Sequence, residues 1–337
     1  METLYIVQRS ATLRVDGGGL AVFSEEPPGS RRLLARPPVR RMRGIVMADG
    51  ARITSDAVKL CFGHGVNVAW LGRAGRIAAF AASALSRPFL KLRQYAVAGS
   101  SEKRLGLARA IVCAKIGNGA MVVRKLRRGK RPAADGRMAM NALRELETAA
   151  ASATAMDQLM GFEGAAARTY FSGLAECFSG EIRFAGRKAH PPADPVNSLL
   201  SLAYSLLGNR IAAAIVAAGM EPHLGALHGI VRGAGALAQD LLEEFRHSVV
   251  DRFVVQLCNY RKLSERHFIR RPGRKTMVSL TDEGLRLFFF EWEKWLALPI
   301  GDADNPEFDF NPCLARQVDR WAGALKQGGY RPHRFGG

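Results

Sequence analysis

Acidic residues are the scarce class in this 337-residue chain: 30 Asp and Glu stand against 49 Lys and Arg, for a formal net charge of +19. That imbalance predicts attraction to a polyanion. Cysteine is also sparse. Cys61, Cys113, Cys177, Cys258 and Cys313 are odd in number, scattered, and form no C-x-x-C pair. This argues against a disulfide framework and a thiolate zinc site, and it fits a reducing cytoplasm. Long apolar runs are missing too. No stretch reaches the ~18 uncharged apolar residues of a membrane span. The nearest, "LAYSLLGNRIAAAIVAAGM", is interrupted by Asn209 and Arg210. The opening "METLYIVQRSATLRV" carries Glu2 and Arg9 and does not read as a signal peptide. The expectation is a soluble cytoplasmic protein with no membrane partner.

What is present is apolar material in two different rhythms. Hydrophobic residues make up 48% of the chain, enough for real cores, and the length predicts two domains. Short runs such as "TLYIVQ", "ATLRVD" and "GLAVFS", broken by "DGGG" at Asp16–Gly19, read as strands. "GIVMADGARIT" carries an Asp49–Gly50 turn, and "GRAG" at Gly72–Gly75 reads as a hairpin tip. Between them, "SDAVKLCFGHG" reads as a short helix capped by Ser55 and stopped by Gly63 or Gly65. Helical spacing dominates after about residue 95. Ser100 or Ser101, Asp135 and Asp194 read as caps, with Pro195 at a first helical position and Gly219 past the end. The fold class is therefore α+β. A small, β-sandwich-like domain over residues 1–92 precedes a larger, mainly helical domain over 93–337. The tail "RPHRFGG" has no pattern and reads as loose.

Three basic clusters offer phosphate contacts, or merely solubility. Arg31–Arg43 holds six arginines, "RKLRRGKR" (Arg124–Arg131) six basic residues in eight, and "RHFIRRPGRK" (Arg266–Lys275) five plus His267. Nucleic acid is the first partner these imply. An anionic membrane surface or a ribosomal setting is the alternative.

The few acids are not evenly spread. "DLLEEFRH" (Asp240–His247) places Asp240, Glu243, Glu244 and His247 on one helix. Helical spacing groups Asp240 with both glutamates, and Glu243 with His247. The apolar stripe is Leu237, Leu241, Phe245, Val249 and Phe253, so Asp240 and Glu243 border the core, where acids are costly unless paired or metal-bound. An exposed face pairing with nearby cations is the plainer reading. His228, in "EPHLGALHG", lies 12 residues before Asp240 across a glycine-rich segment able to fold back. Glu163, in "GFEGAAARTYF", sits between two glycines, where another helix could approach closely. Two carboxylates and one imidazole from three elements suit Mg²⁺ or Mn²⁺. On a basic protein, that set suits phosphodiester chemistry.

These motifs resemble the CRISPR-associated protein one family, the spacer-acquisition integrases. "EGAAARTYF" resembles its first ligand motif, "PPADPVNSLLSLAYSLL" its D-P-x-N-x-L-L-x-x-x-Y helix, "AAGMEPHLGALH" its G-L-D-P-x-L-G-x-L-H, and "QDLLEEFR" its D-L-x-E-x-F-R. "ARAIVCAKIGN" is similar to the helix after its linker, and the likeness runs in order along nearly the whole chain. The resemblance implies a metal-dependent DNA endonuclease and integrase. Glu163, His228 and Glu243 would bind the metal, Asp240 would support them, Glu244 would be a surface residue and His247 structural or surface. Tyr204 would lie near the site and contact DNA. Arg124, Lys125, Arg127, Arg128, Arg270 and Arg271 are candidate tracks for the DNA backbone on charge density. The implied partners are a short double-stranded fragment, a CRISPR repeat, a second copy of the chain and the small CRISPR-associated protein two. Met220 and Glu221 replace the family's usual Leu and Asp, and Ala236 replaces a common serine. Two readings stay open beside this one: an unrelated metal-dependent repair nuclease, and a non-enzymatic nucleic-acid-binding protein.

Overall fold

The structure is a computed structural model. It describes every residue except 1, 7, 26–29, 49, 72–76, 82–87, 128–133, 189–191, 230–234, 272–276 and 337. The expected Gly72–Gly75 hairpin tip, Asp49 and Arg128 therefore lie outside the described residues.

The N-terminal part consists of β1 (Glu2–Ile6), β2 (Ala11–Asp16), β3 (Gly19–Ser24), β4 (Arg32–Ala35), β5 (Met42–Met47), β6 (Arg52–Ile53), α1 (Ser55–Gly63), β7 (Asn67–Leu71) and β8 (Ile77–Ala81). Two four-stranded sheets form, in orders β1-β5-β7-β8 and β4-β3-β2-β6. Asp16 pairs with Gly19, leaving Gly17 and Gly18 as a two-residue loop. Both have positive φ, 61° and 75°, the conformation that suits the twist of a tight hairpin. Leu13 and Leu20 from one sheet and Ile45, Met47 and Val68 from the other share one buried cluster with Cys61 of α1. Thr54, not Ser55, caps α1: its hydroxyl accepts from the Ala57 amide, and Ser55 is the first helical residue. β4 was not expected; its four residues are exposed and arginine-flanked, so no alternation marks it.

The helical part comprises α2 (Pro88–Ala98), α3 (Ser101–Leu126), α4 (Ala134–Ala151), α5 (Met156–Ala175), α6 (Pro195–Ala217) and α7 (Ala236–Phe245). A π-helical turn (Arg246–Asp251) joins α7 to α8 (Arg252–Asn259). The hairpin β9 (Phe268–Arg271) and β10 (Met277–Leu280), α9 (Asp282–Leu296) and α10 (Phe310–Gln327) complete the chain. α2 spans the expected division at residues 92 and 93, and its Leu90 enters the helical core. Ser100 caps α3 by accepting from Lys103, and Asp194 caps α6 by accepting from Asn197 at 2.8 Å, with Pro195 next. Asp135 is the second residue of α4, and its side chain lies outside the described residues. α3 and α6 are long and apolar enough, by length and composition, to cross a bilayer. Here both are core helices, with most of their apolar stretch buried against the rest of the protein. Tyr5 of β1 stacks on Phe289 of α9 at 4.5 Å and donates to Glu293, which also accepts from Arg210 of α6 at 2.7 Å. These contacts tie the first sheet to the helices.

The C-terminal segment is not loose. His333 and Phe335 are 0% and 3% exposed. The His333 amide donates to Glu244 at 2.7 Å, and the Phe335 amide donates to Asn118 of α3 at 2.9 Å. The Asn118 side-chain nitrogen in turn donates to the carbonyls of Glu244 and His333, at 2.8 and 3.0 Å. Backbone bonding and two anchor side chains hold the segment, and neither leaves a periodic signal in the sequence.

Glu244 is likewise a correction: it is fully buried, not a surface residue. It accepts from Tyr330, Gln317 and the His333 amide. Burial pushes its carboxyl up to about 7, against the pull of those three donors. The folded state thus keeps a proton that the unfolded state releases near 4.5. This contribution to stability is full below pH 4.5, falls as pH rises to about 7, and is level above. Glu244→Gln should flatten that fall, which is on the order of 3 kcal/mol, in thermal melts between pH 5 and 7.5. An unchanged pH profile would contradict the assignment.

Candidate metal centre

Lys115 lies on the core stripe of α3, one turn after Ile111, with its side chain only 8% exposed. Its ammonium donates to Glu163 of α5 and lies 2.7 Å from Glu243 of α7. A buried cation thus joins two of the carboxylates singled out by sequence. Glu243 also accepts from one nitrogen of Arg246, at 2.7 and 2.8 Å. Burial alone would raise the Glu243 carboxyl; the charges of Arg246 and Lys115 outweigh it and hold the group well below the usual carboxylate range.

The glycines beside Glu163 do not admit a close neighbour. A Cβ at Gly161 would meet nothing within 4 Å, and one at Gly164 only an Arg168 nitrogen at 3.8 Å. What approaches Glu163 is the long lysine side chain.

His228 and Asp240 form the adjoining pair. The fold-back expected before α7 brings the His228 Nδ1 to 2.7 Å from Asp240. Asp240 is fully buried and also accepts the backbone amides of Ala226, Leu227 and His228, at 2.5, 3.0 and 2.9 Å. A Cβ at Gly225 would stand 2.6 Å from the same carboxylate, so the approach requires glycine. Burial lowers the His228 imidazole, but the bond to Asp240 and the charges of Asp240 and Glu243 raise it above its ordinary value. Gln94 of α2 braces this loop through the carbonyls of Glu221 and Leu224 and the Glu221 amide.

His247 lines a small cavity with Lys115 and Glu163, but its ring bonds Asp251. His247 falls in the π-helical turn, which changes the helical phase after Phe245. Its Nδ1 bonds Asp251 at 2.7 Å. Asp251 is fully buried and also accepts from Tyr170 of α5 at 2.7 Å and from Tyr204 of α6. Burial would raise the Asp251 carboxyl, but these donors and the His247 and Arg246 charges hold it below its ordinary value. The Tyr204 ring lies 4.5 Å from the Arg246 guanidinium. Tyr204 is thus a mostly buried support for the residue that grips Glu243, and its hydroxyl points to Asp251 inside the protein.

Of the basic candidates, Arg124 and Lys125 are exposed at the end of α3. Arg127 is mostly buried and paired with Glu176 at 2.5 Å. Arg270 is exposed, 3.6 Å from Glu265; the Arg271 side chain lies outside the described residues. Sequence reasoning missed Lys115, Arg246, Asp251 and Asn118. A lysine interrupting the apolar stripe of "ARAIVCAKIGN" was the available signal.

Among the described residues, no three His, Cys, Asp or Glu side chains stand together as a complete ligand set. The donors nevertheless fit a divalent ion. Two carboxylates already share one cation, and Asp240 holds the nitrogen of His228 that a metal-bound imidazole does not use.

Residues 4–294 match the family described as CRISPR associated protein Cas1. The chain is 32% identical over 291 residues to a CRISPR-associated endonuclease Cas1 of Thermus thermophilus, covering 86% of this chain and 83% of that one. It superposes on a Cas1 protein from Thermotoga maritima with a TM-score of 0.81 and 25% identity, over 98% of both chains. A casposase bound to integration product shares the fold at TM-score 0.84 and 22% identity, over 100% of this chain and 93% of that one. So does a chain of a Cas6-RT-Cas1–Cas2 complex, at 0.79 and 20% identity, covering 96% of this chain and 35% of that one.

Asp251→Leu would strand two tyrosine hydroxyls and a histidine in the core. It should cost ~3–5 kcal/mol, whereas Tyr170→Phe should cost ~1 kcal/mol. Denaturant melts of both variants check the ranking.

Proposed function

The chain belongs to the Cas1 family, and on that premise we propose that Glu163, His228 and Glu243 hold its divalent ion, Mg²⁺ or Mn²⁺. Membership makes it a divalent-metal-dependent endonuclease and integrase of CRISPR spacer acquisition. The observation that carries the residue assignment is the ammonium of Lys115 gripped by Glu163 and Glu243, with His228 on the adjoining wall. Two acids from different helices converge on a positive charge in a protein whose surface is otherwise basic.

When bound, the ion would supply Lewis acidity at the phosphate and lower the pKa of the attacking hydroxyl or water. The protein's own groups do the rest. Asp240 orients the His228 imidazole and keeps its other nitrogen available. Arg246 fixes one side of the Glu243 carboxylate, and the Tyr204 ring and Asp251 keep Arg246 in place. In joining, the 3′-hydroxyl of a short fragment attacks a repeat phosphodiester; its new P–O bond replaces the broken one. Hydrolytic cutting is the same exchange with water. We further propose that the chain works in the cytoplasm as a homodimer, on double-stranded DNA, beside the small partner Cas2, and without a membrane.

The test is incubation with Cas2, a short duplex and a repeat-bearing plasmid, with and without Mn²⁺. Metal-dependent joining is expected, and Glu163→Ala or Glu243→Ala should reduce it at least about 100-fold. Cutting without joining would instead mark a repair nuclease, and binding alone a non-catalytic protein. Reversing Arg124 and Lys125 together should lower the slope of log affinity against log salt by about 2. An unchanged slope would remove this end of α3 from the DNA path.

A further inference from the structure

Lys115 has no place in the ligand set, yet it occupies the centre of the site. Its side chain crosses from α3 between a carboxylate of α5 and one of α7, and all but 8% of it is shielded from solvent. We propose that Lys115 is the resident cation of this site: it holds Glu163 and Glu243 together, yields them when a divalent ion takes the pair, and then neutralises the scissile phosphodiester. The inference rests on the reading that this pair binds the ion.

Three observations lead to it. The first is charge. Glu163 and Glu243 are balanced by Lys115 and Arg246, so these four groups carry no net charge. Adding a divalent ion leaves two positive charges. A phosphodiester brings one negative charge and develops a second as the attacking oxygen bonds to phosphorus, which offsets that excess.

The second is mobility. Arg246 is fixed by its bonds to Glu243 and by the Tyr204 ring beneath it. Lys115 carries a compact charge on a four-carbon stem with three rotatable donors, so it can change partner without moving α3. Of the two cations, only Lys115 contacts both carboxylates.

The third is the cost of an empty pair. Two carboxylates near one point in a shielded site repel each other unless a cation lies between them. A protein that meets its metal and its DNA together needs such a cation beforehand. Competition from Lys115 then keeps metal affinity modest until a phosphate offers the ammonium another acceptor. Metal and DNA should therefore strengthen each other's binding, by the same factor in both directions.

The experiment compares full-length wild type with Lys115→Met and Lys115→Arg. Mn²⁺ binding is read from the electron paramagnetic resonance of free Mn²⁺, with and without duplex DNA, and cleavage is measured at saturating Mn²⁺. DNA-free K115M should bind Mn²⁺ about tenfold more tightly than wild type and lose the strengthening by DNA. Its cleavage at saturating Mn²⁺ should fall about 100-fold. Unchanged or weaker Mn²⁺ binding by K115M would overturn the resident-cation role, and tighter binding with a full cleavage rate would overturn the phosphate role. If K115M does not fold, K115R decides. Its fork should hold both carboxylates more firmly and weaken Mn²⁺ binding, and an affinity equal to wild type would overturn the proposal. Failure of the underlying reading shows elsewhere: wild-type Mn²⁺ binding would then survive Glu163→Gln and Glu243→Gln.

Discussion

Two carboxylates gathered on one shielded ammonium are the constraint around which the helical part is arranged. Lys115, Glu163 and Glu243 come from α3, α5 and α7, so their ion pairs exist only while those three helices keep their spacing. Breaking a buried pair leaves an uncompensated charge, which is far costlier than its formation is favourable. The surrounding structure reflects that asymmetry. Each partner's helix is held again by a further set of buried polar groups.

Two such holds are visible. Asp251 gathers Tyr170 from α5, Tyr204 from α6 and His247 from its own helix, which fixes α5 against the helix carrying Glu243. Tyr170 stands two turns from Glu163 on that same helix, so a shift of one is a shift of the other. On the opposite side, Asn118 joins α3 to the Glu244 carbonyl, and the C-terminal segment closes over both. Adjacent glutamates thus serve different ends. Glu243 faces a cation site and is held ionised by two cations, while Glu244 faces the core and is pushed toward its neutral form by burial.

Much of the organisation was legible in the sequence. The change from period-two alternation to helical spacing separates the sheets from the helices, and Asp194–Pro195 and Ser100 mark helix starts through local hydrogen bonding. The acids and His228 stood out because charged groups beside an apolar stripe need partners. What local pattern did not carry was phase and depth. Helical spacing assumed an unbroken α-helix through His247, but a π-helical turn carries that residue to Asp251. Glu244 looked solvated because a net charge says nothing of which face a later segment covers; Tyr330 and His333, some 90 residues on, bury it.

The amino-acid order alone determined the two-part α+β architecture, the polyanion-seeking charge and the identity of the chemically capable residues. These follow from composition, from periodicity and from groups whose desolvation demands a partner. Which cation joins Glu163 to Glu243, which glutamate is buried and what the tail does were decided by tertiary structure. Those outcomes depend on contacts between residues 48 to 217 positions apart, and no window on the sequence spans them.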